Sequence, residues 1–289
     1  MRTARPRNLD ARALEARHRV LARRVVRGLS PVIGRLGNSR RPLPSALIVG
    51  AQRSGTTSLH RLLTSHPRVH PPRAMKGVHY FDLSYGRNLD WYRGAFPLVG
   101  SPDIVIETSP YYLFHPEVPA RVAADLPNVK VVALLRSPVD RAFSHHRHET
   151  ERGFERLSFA AALEAEDERL AQSASLLAKS RDAVDHAHLH YAYLARGRYA
   201  EQLNRWFAAI GRERVLVLDS QLLFDDASEP LARLASFLEV PSFEAVALPR
   251  VNGYEPELMP PTIRRRLEDY FDPHDEELVD LLGWRPSWC

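Results

Sequence analysis

The sequence predicts an α/β fold, a central parallel β-sheet flanked by helices, and three observations predict it. Short apolar runs at Ala46–Val49, Ile104–Ile106, Val129–Leu135 and Val215–Leu218 have the length of buried parallel strands. Apolar residues at helical spacing lie between them, as at Leu59, Leu62 and Leu63 and again at Tyr199, Leu203, Trp206 and Phe207. Turn and cap residues stand where a strand passes into a helix, at Gly50–Gly55 and at Ser137-Pro138. With 289 residues the chain can bury one large domain or two small ones.

The composition is that of a soluble globular protein, with 44% hydrophobic and 26% charged residues. The formal charge of +5 suits anionic ligands and does not by itself argue for nucleic acid. The one cysteine, Cys289, is the last residue, so no intrachain disulfide forms. No window has the eighteen or so apolar residues of a membrane span, and no apolar h-region follows the N-terminus. The expected location is the cytoplasm.

Residues 1–44 are expected to form a basic extension and linker. Leu14, Val20, Leu21, Val25, Val26, Leu29, Val32 and Ile33 recur among arginines, a pattern open to weak membrane-surface contact or to loose packing on the domain. The first strand then runs into Gly50–Thr57 and a helix, the arrangement that points backbone N–H groups and a helix dipole at an anion. Gly50 and Gly55 have Walker A spacing, which makes the domain P-loop-type, but Thr56 and Thr57 stand where Lys and Ser/Thr belong. The charge comes earlier, at Arg53. This loop offers hydroxyls and an arginine to an anion with no evident need for magnesium.

Ser65-His66-Pro67 ends the helix and Pro71-Pro72 extends the chain into Lys76-Gly77-Val78-His79-Tyr80-Phe81-Asp82. The second core strand ends at Glu107, where functional groups of open α/β sheets gather, so this carboxylate is either functional or an ordinary solvated or capping one. The third ends at Arg136, followed by Ser137 as N-cap, Pro138 at N1 and Asp140 at N3. Ser144 lies two turns beyond Ser137 on the same face, so Arg136 and Ser144 can grip a phosphate from two sides. The histidines at 145, 146, 148, 186, 188 and 190 lack metal-site spacing, and no metal is expected.

Beyond them, Glu155–Asp185 reads as helix and then a mobile stretch from Gln172. An apolar strand ending at Asp219 looks like a Walker B strand, the one point in favour of a kinase. A helix starts at Ser228-Glu229-Pro230. Pro249–Pro261 reads as a loop, and two helices, Pro261–Tyr270 and Pro273–Leu282, close the chain.

Gln52-Arg53-Ser54-Gly55-Thr56-Thr57-Ser58-Leu59 resembles the 5′-phosphosulfate loop of the PAPS-dependent sulfotransferases. Lys76–Asp82 and Val131–Ser144 resemble two further signatures of that family, in the family's order. The likeness runs from about Ser45 to the C-terminus, one domain over 45–289, and is greatest to the heparan-sulfate and related carbohydrate branch with its soluble bacterial relatives. The resemblance implies PAPS as sulfuryl donor and PAP as product. It assigns Arg53, Ser54, Gly55, Thr56, Thr57 and Ser58 to the 5′-phosphate and Arg136 and Ser144 to the 3′-phosphate. It assigns Arg250, Asn252, Gly253 and Tyr254 to a loop that closes over the nucleotide.

The branch carries a catalytic Glu where this chain has Gly77, and a Lys where it has Thr108. The resemblance therefore leaves His79, Glu107 and Asp82 as candidates for handling the acceptor proton, His79 first because its ordinary pKa lies near neutrality. The implied acceptor is a carbohydrate, glycolipid or small-molecule hydroxyl, or an amine. The alternatives are a P-loop kinase or NTPase and a catalytically weak PAP-binding protein.

Overall fold

The computed structural model describes residues 41–100, 103–243 and 259–289. The basic segment before Arg41 and the four loop residues Arg250, Asn252, Gly253 and Tyr254 lie outside them. The described residues fold around one parallel sheet of five strands. The first strand, β1 (Ala46–Gly50), is central; it pairs with β3 (Ile104–Thr108) on one side and β4 (Lys130–Leu135) on the other, while β2 (Val69–His70) and β5 (Val215–Asp219) form the edges. β1 takes the centre because every residue in it is apolar or glycine and fully buried.

Side chains alternate between the two faces with period two. Leu47, Val49, Val131, Ala133 and Leu135 pack on one face against Leu203 and Trp206 of α10 (Tyr199–Ile210) and Val118 and Val122 of α4 (Val118–Asp125). Ala46, Ile48, Val132 and Leu134 pack on the other against Leu59, Leu62 and Leu63 of α1 (Thr56–Ser65) and Leu231 and Leu234 of α12 (Ser228–Leu238). Two short helices, α2 (Tyr80–Leu83) and α3 (Leu89–Arg93), carry an aromatic cluster under the β3 side. α5 (Pro138–Glu151) leaves the end of β4, and four short helices follow: α6 (Phe159–Glu164), α7 (Glu166–Leu170), α8 (Ser173–Ala178) and α9 (His186–His190). α11 (Ser220–Asp225) follows β5 directly.

One expectation needs correction, and two segments carry structure beyond what was read from them. The last two helices are one, α13 (Pro261–Leu282), with Pro273 inside it. The proline costs about 3 kcal/mol in a helix interior. It is tolerated because the helix buries Leu267 and Phe271 before it and Leu278 and Leu282 after it, all on one packed side. The two-residue strand β2 escaped notice because Pro71 and Pro72 leave so little alternating pattern around it. The stretch from Gln172 to Asp185, expected to be mobile, carries α8, and Asp182 Oδ1 accepts a hydrogen bond from the Gly86 amide at 2.6 Å. None of the described helices is long and apolar enough to cross a membrane.

Asp219 is not free to hold a metal. Its Oδ1 caps α11, accepting from the Gln221 and Leu222 amides at 2.7 and 3.3 Å, and its Oδ2 accepts from the Ser287 amide at 2.7 Å. This carboxylate fastens the C-terminal tail to the end of β5. Asp219→Ala is therefore expected to lower unfolding stability by about 1–2 kcal/mol, measured by denaturant titration, and to speed hydrogen exchange at the Ser287 amide.

Candidate functional site

The C-terminal ends of β1, β3, β4 and β5 converge at one edge of the sheet, where the chain's strand order reverses about β1. At the end of β1, Gly50 packs against Leu113, and a Cβ there would stand 2.6 Å from the Leu113 Cβ. The loop that follows turns through left-handed backbone at Arg53 (φ 73°) and Gly55 (φ 90°). A Cβ on Gly55 would also meet Phe224 at 2.6 Å. Ser220 Oγ donates to the Ser54 carbonyl at 2.8 Å and ties the loop to α11. α1 then begins at Thr56 with no side-chain cap, and the Ser58 and Leu59 amides donate to the Gly55 carbonyl at 2.9 and 3.1 Å.

A cation reaches this helix start from outside the loop. Lys76 Nζ donates to Thr56 Oγ1 at 3.1 Å and to Thr57 Oγ1 at 3.0 Å. Burial pushes the Lys76 ammonium down to about 7. His60, one turn along α1, is pushed down to about 4 by burial and then by the Lys76 charge, and its Nδ1 lies 2.9 Å from Thr108 Oγ1.

The second group forms where β4 meets α5. Ser137 caps α5 through the Asp140 amide, with Pro138 at N1. Tyr199 Oη donates to the Arg136 carbonyl at 2.8 Å, and Arg136 Nη1 donates to the Arg53 carbonyl at 3.3 Å. Arg53 Nε donates to Ser144 Oγ at 3.0 Å. The structure thus brings Arg53, Arg136 and Ser144 together. It aims the Arg53 side chain at α5, while the hydroxyls of Thr56 and Thr57 face Lys76. Beneath the loop, the buried Arg196 guanidinium donates to Gln52 Oε1 and to the His188 and Leu189 carbonyls, and it lies over the Tyr111 and Phe114 rings at 4.9 and 5.0 Å. Sequence reasoning passed over Arg196, which sits in an unremarked turn between α9 and α10, and gave Lys76 no role.

The third group hangs on Glu107. This fully buried carboxylate accepts from the Val78 and His79 amides at 2.8 and 3.0 Å. It also accepts from the hydroxyls of Tyr92, Ser109 and Tyr112 at 2.5, 2.7 and 2.9 Å. With five donors on it and no exposure, Glu107 organises the 76–82 segment rather than meeting an acceptor molecule. His79 takes left-handed backbone (φ 56°), and its Nδ1 lies 2.8 Å from Oδ2 of the fully buried Asp82. A carboxylate partner keeps the proton on Nδ1 and leaves the lone pair on Nε2, and about a third of the His79 side chain is exposed. Gly77 packs so closely on β3 that a Cβ would stand 2.5 Å from the Thr108 carbonyl and from Ser109 Oγ.

Three of the other histidines have partners elsewhere: His190 Nδ1 lies 2.8 Å from Glu149 Oε2, His188 Nδ1 2.6 Å from Tyr111 Oη, and His146 Nε2 2.9 Å from the Leu157 carbonyl. Among the described residues no group of three or more His, Cys, Asp or Glu side chains is placed to hold a metal ion.

A strand, a glycine-bearing loop and a helix, with a basic group at the next strand end, narrow the family, and comparison with known proteins decides it. A sequence profile of the sulfotransferase domain matches residues 43–250. The chain belongs to the sulfotransferase domain family. A solved sulfotransferase from Alicyclobacillus acidocaldarius is 30% identical and superposes with a TM-score of 0.70 over 85% of this chain and 98% of that one. The bovine bifunctional heparan sulfate N-deacetylase/N-sulfotransferase 2 is 30% identical over 208 residues, 70% of this chain and 22% of that protein. The human heparan sulfate glucosamine 3-O-sulfotransferase 6 is 26% identical over 282 residues, 87% of this chain and 75% of that protein. This sulfotransferase-family chain thus spans about a fifth of the length of the first of these curated relatives.

If Glu107 is the tie that the geometry describes, Glu107→Gln, which turns an NH₂ donor toward other donors, lowers stability by about 1–3 kcal/mol. Thermal or denaturant unfolding measures this, and an unchanged midpoint would contradict the role.

Proposed function

We propose that this protein moves a sulfuryl group from PAPS to a hydroxyl or amine of an acceptor, leaving PAP. The observation that carries the reading is the pair of basic groups at one sheet edge: Lys76 over the first turn of α1, and Arg53 with Arg136 and Ser144 at the start of α5. Two such groups at the ends of adjacent strands suit a nucleotide that carries phosphates on both its 3′ and 5′ positions. Thr56, Thr57, Ser58 and the loop amides would hold the 5′-phosphate, and Arg136 and Ser144 the 3′-phosphate. Arg53, at the junction, would serve both by charge alone, since a guanidinium does not give up its proton.

In the transfer, the acceptor oxygen or nitrogen forms a bond to sulfur as the bond from sulfur to the bridging oxygen of the 5′-phosphate breaks. The leaving electron pair stays on that oxygen, and the acceptor proton goes to a base. Such a displacement needs positioning and charge stabilisation more than covalent help. His79 is the proposed base through Nε2, and Asp82 would stabilise the imidazolium that results. The relatives named for heparan sulfate favour a carbohydrate acceptor. The kinase reading loses support because the Asp219 carboxylate is committed to backbone amides.

Calorimetric titration tests the donor. PAP is expected to bind more tightly than ADP, and Arg136→Ala to erase the preference, a loss of about ten- to a hundredfold for PAP. Equal binding of ADP would sink the 3′-phosphate assignment. For the chemistry, His79→Ala is expected to lower kcat by about 10²–10⁴-fold while PAP affinity holds. Undiminished turnover in that variant would remove His79 from the mechanism.

A further inference from the structure

Lys76 is held in a place where a cation should not rest. Its ammonium sits against the first turn of α1, at the positive end of the helix dipole, where anions are favoured and cations are not. Its hydrogen-bond partners are two neutral hydroxyls, and among the described residues no carboxylate pairs with it. The carboxylate nearest in sequence on the facing strand, Glu107, is fully used by Val78, His79, Tyr92, Ser109 and Tyr112. The Lys76 backbone is fixed by its carbonyl, which accepts from the Thr108 amide at 3.1 Å, so the side chain is aimed rather than free to leave.

We propose that Lys76 is the missing cation of the 5′-phosphosulfate site, and that nucleotide binding charges it by uptake of a proton from solvent. This rests on the donor reading above and adds to it a residue and a proton. Without an anion, burial and the helix dipole favour the neutral amine, which donates to one threonine hydroxyl and accepts from the other. A dianionic phosphate at the helix start reverses both effects. The amine becomes ammonium and donates to both Thr56 and Thr57. Each hydroxyl then keeps its own proton to donate outward to the phosphate.

The titratable groups facing Lys76 do not compete with it in the neutral range. His60, on the same face of α1 and bonded to Thr108, is neutral above about 4. Lys76 itself is brought down to about 7 by burial. The sign follows: below pH 7 the site is already charged and binding takes up little, and above it each binding event must supply a proton, so affinity falls as pH rises. At pH 8 the free site is mostly neutral, so most binding events take up a proton. A phosphate monoester with its second pKa near 6 contributes little there.

The test is PAP titration of the whole chain at pH 8 in two buffers that differ in ionisation enthalpy, with affinities then followed from pH 6.5 to 9. The expected result is uptake near one proton and an affinity that falls toward tenfold per pH unit above 7.5. Lys76→Met should weaken PAP about ten- to a hundredfold at pH 7 and abolish the uptake. Lys76→Arg should restore affinity while leaving it flat with pH, a result that loss of packing alone would not produce. Tight PAP binding by the unaltered protein without proton uptake would overturn the Lys76 proposal and leave the donor reading standing. No PAP binding at any pH would overturn both.

Discussion

One buried carboxylate sets the geometry on which the 76–82 side of this site depends. Taking an ionised Glu out of water is costly unless hydrogen bonds replace the solvent. Glu107 has five such bonds, two from backbone amides and three from hydroxyls. Each donor belongs to a segment that has to be held. The Val78 and His79 amides turn the chain into α2, Tyr92 comes from α3, and Ser109 and Tyr112 lie just beyond β3. The donors are braced in turn, because Tyr92 stacks on Tyr80 at 4.6 Å and meets Phe81 edge-on at 5.4 Å. Lys76 and the His79–Asp82 pair take their positions from this assembly. The same bonds give His79 its left-handed backbone a fixed cause, since its amide has to point at Glu107 while its ring reaches back to Asp82.

Much of the fold was legible because its signals are local. Ala46–Gly50 reads as a strand buried on both faces, and it is the central one. Ser137-Pro138 reads as a helix start, and the cap hydrogen bond is there. The errors came where a distant contact outweighs a local rule. Pro273 should end a helix, yet α13 continues because residues on both sides of it are packed into the body of the domain. Asp219 looks like a metal-binding carboxylate by its place at a strand end. What decides its role is the Ser287 amide, 68 residues further on, which no local pattern reveals.

The site divides in the same way. Which residues gather at the sheet edge could be read from strand ends and loop composition. Which way they point could not. Arg53 belongs to the loop by sequence, but left-handed backbone at that residue turns its side chain toward Ser144, 91 positions away. Glu107 had the right address for a functional carboxylate, and only its five partners show it to be a tie. Lys76 was visible as part of a motif, but its side chain meets α1 across a turn of chain that carries no periodicity. Arg196 carried no sequence signal, because its function is to support Gln52 from below and its partners are carbonyls and rings.

Two departures from the resembled branch, Gly77 and Thr108, have a common physical basis. The chain at Gly77 lies so close to β3 that a Cβ would enter the space of the Thr108 carbonyl and the Ser109 hydroxyl. That close approach is what lets the Thr108 amide bond the Lys76 carbonyl and the Val78 amide bond Glu107 on either side of the glycine. A side chain at 77 would push the segment off the strand and carry Lys76 away from Thr56 and Thr57. Thr108, shorter than a lysine, leaves the space beside α1 to Lys76 and turns its hydroxyl to His60. The glycine that removes a carboxylate from one position therefore brings a cation to the neighbouring one. The same segment holds the His79 ring against Asp82, a carboxylate that solvent does not reach.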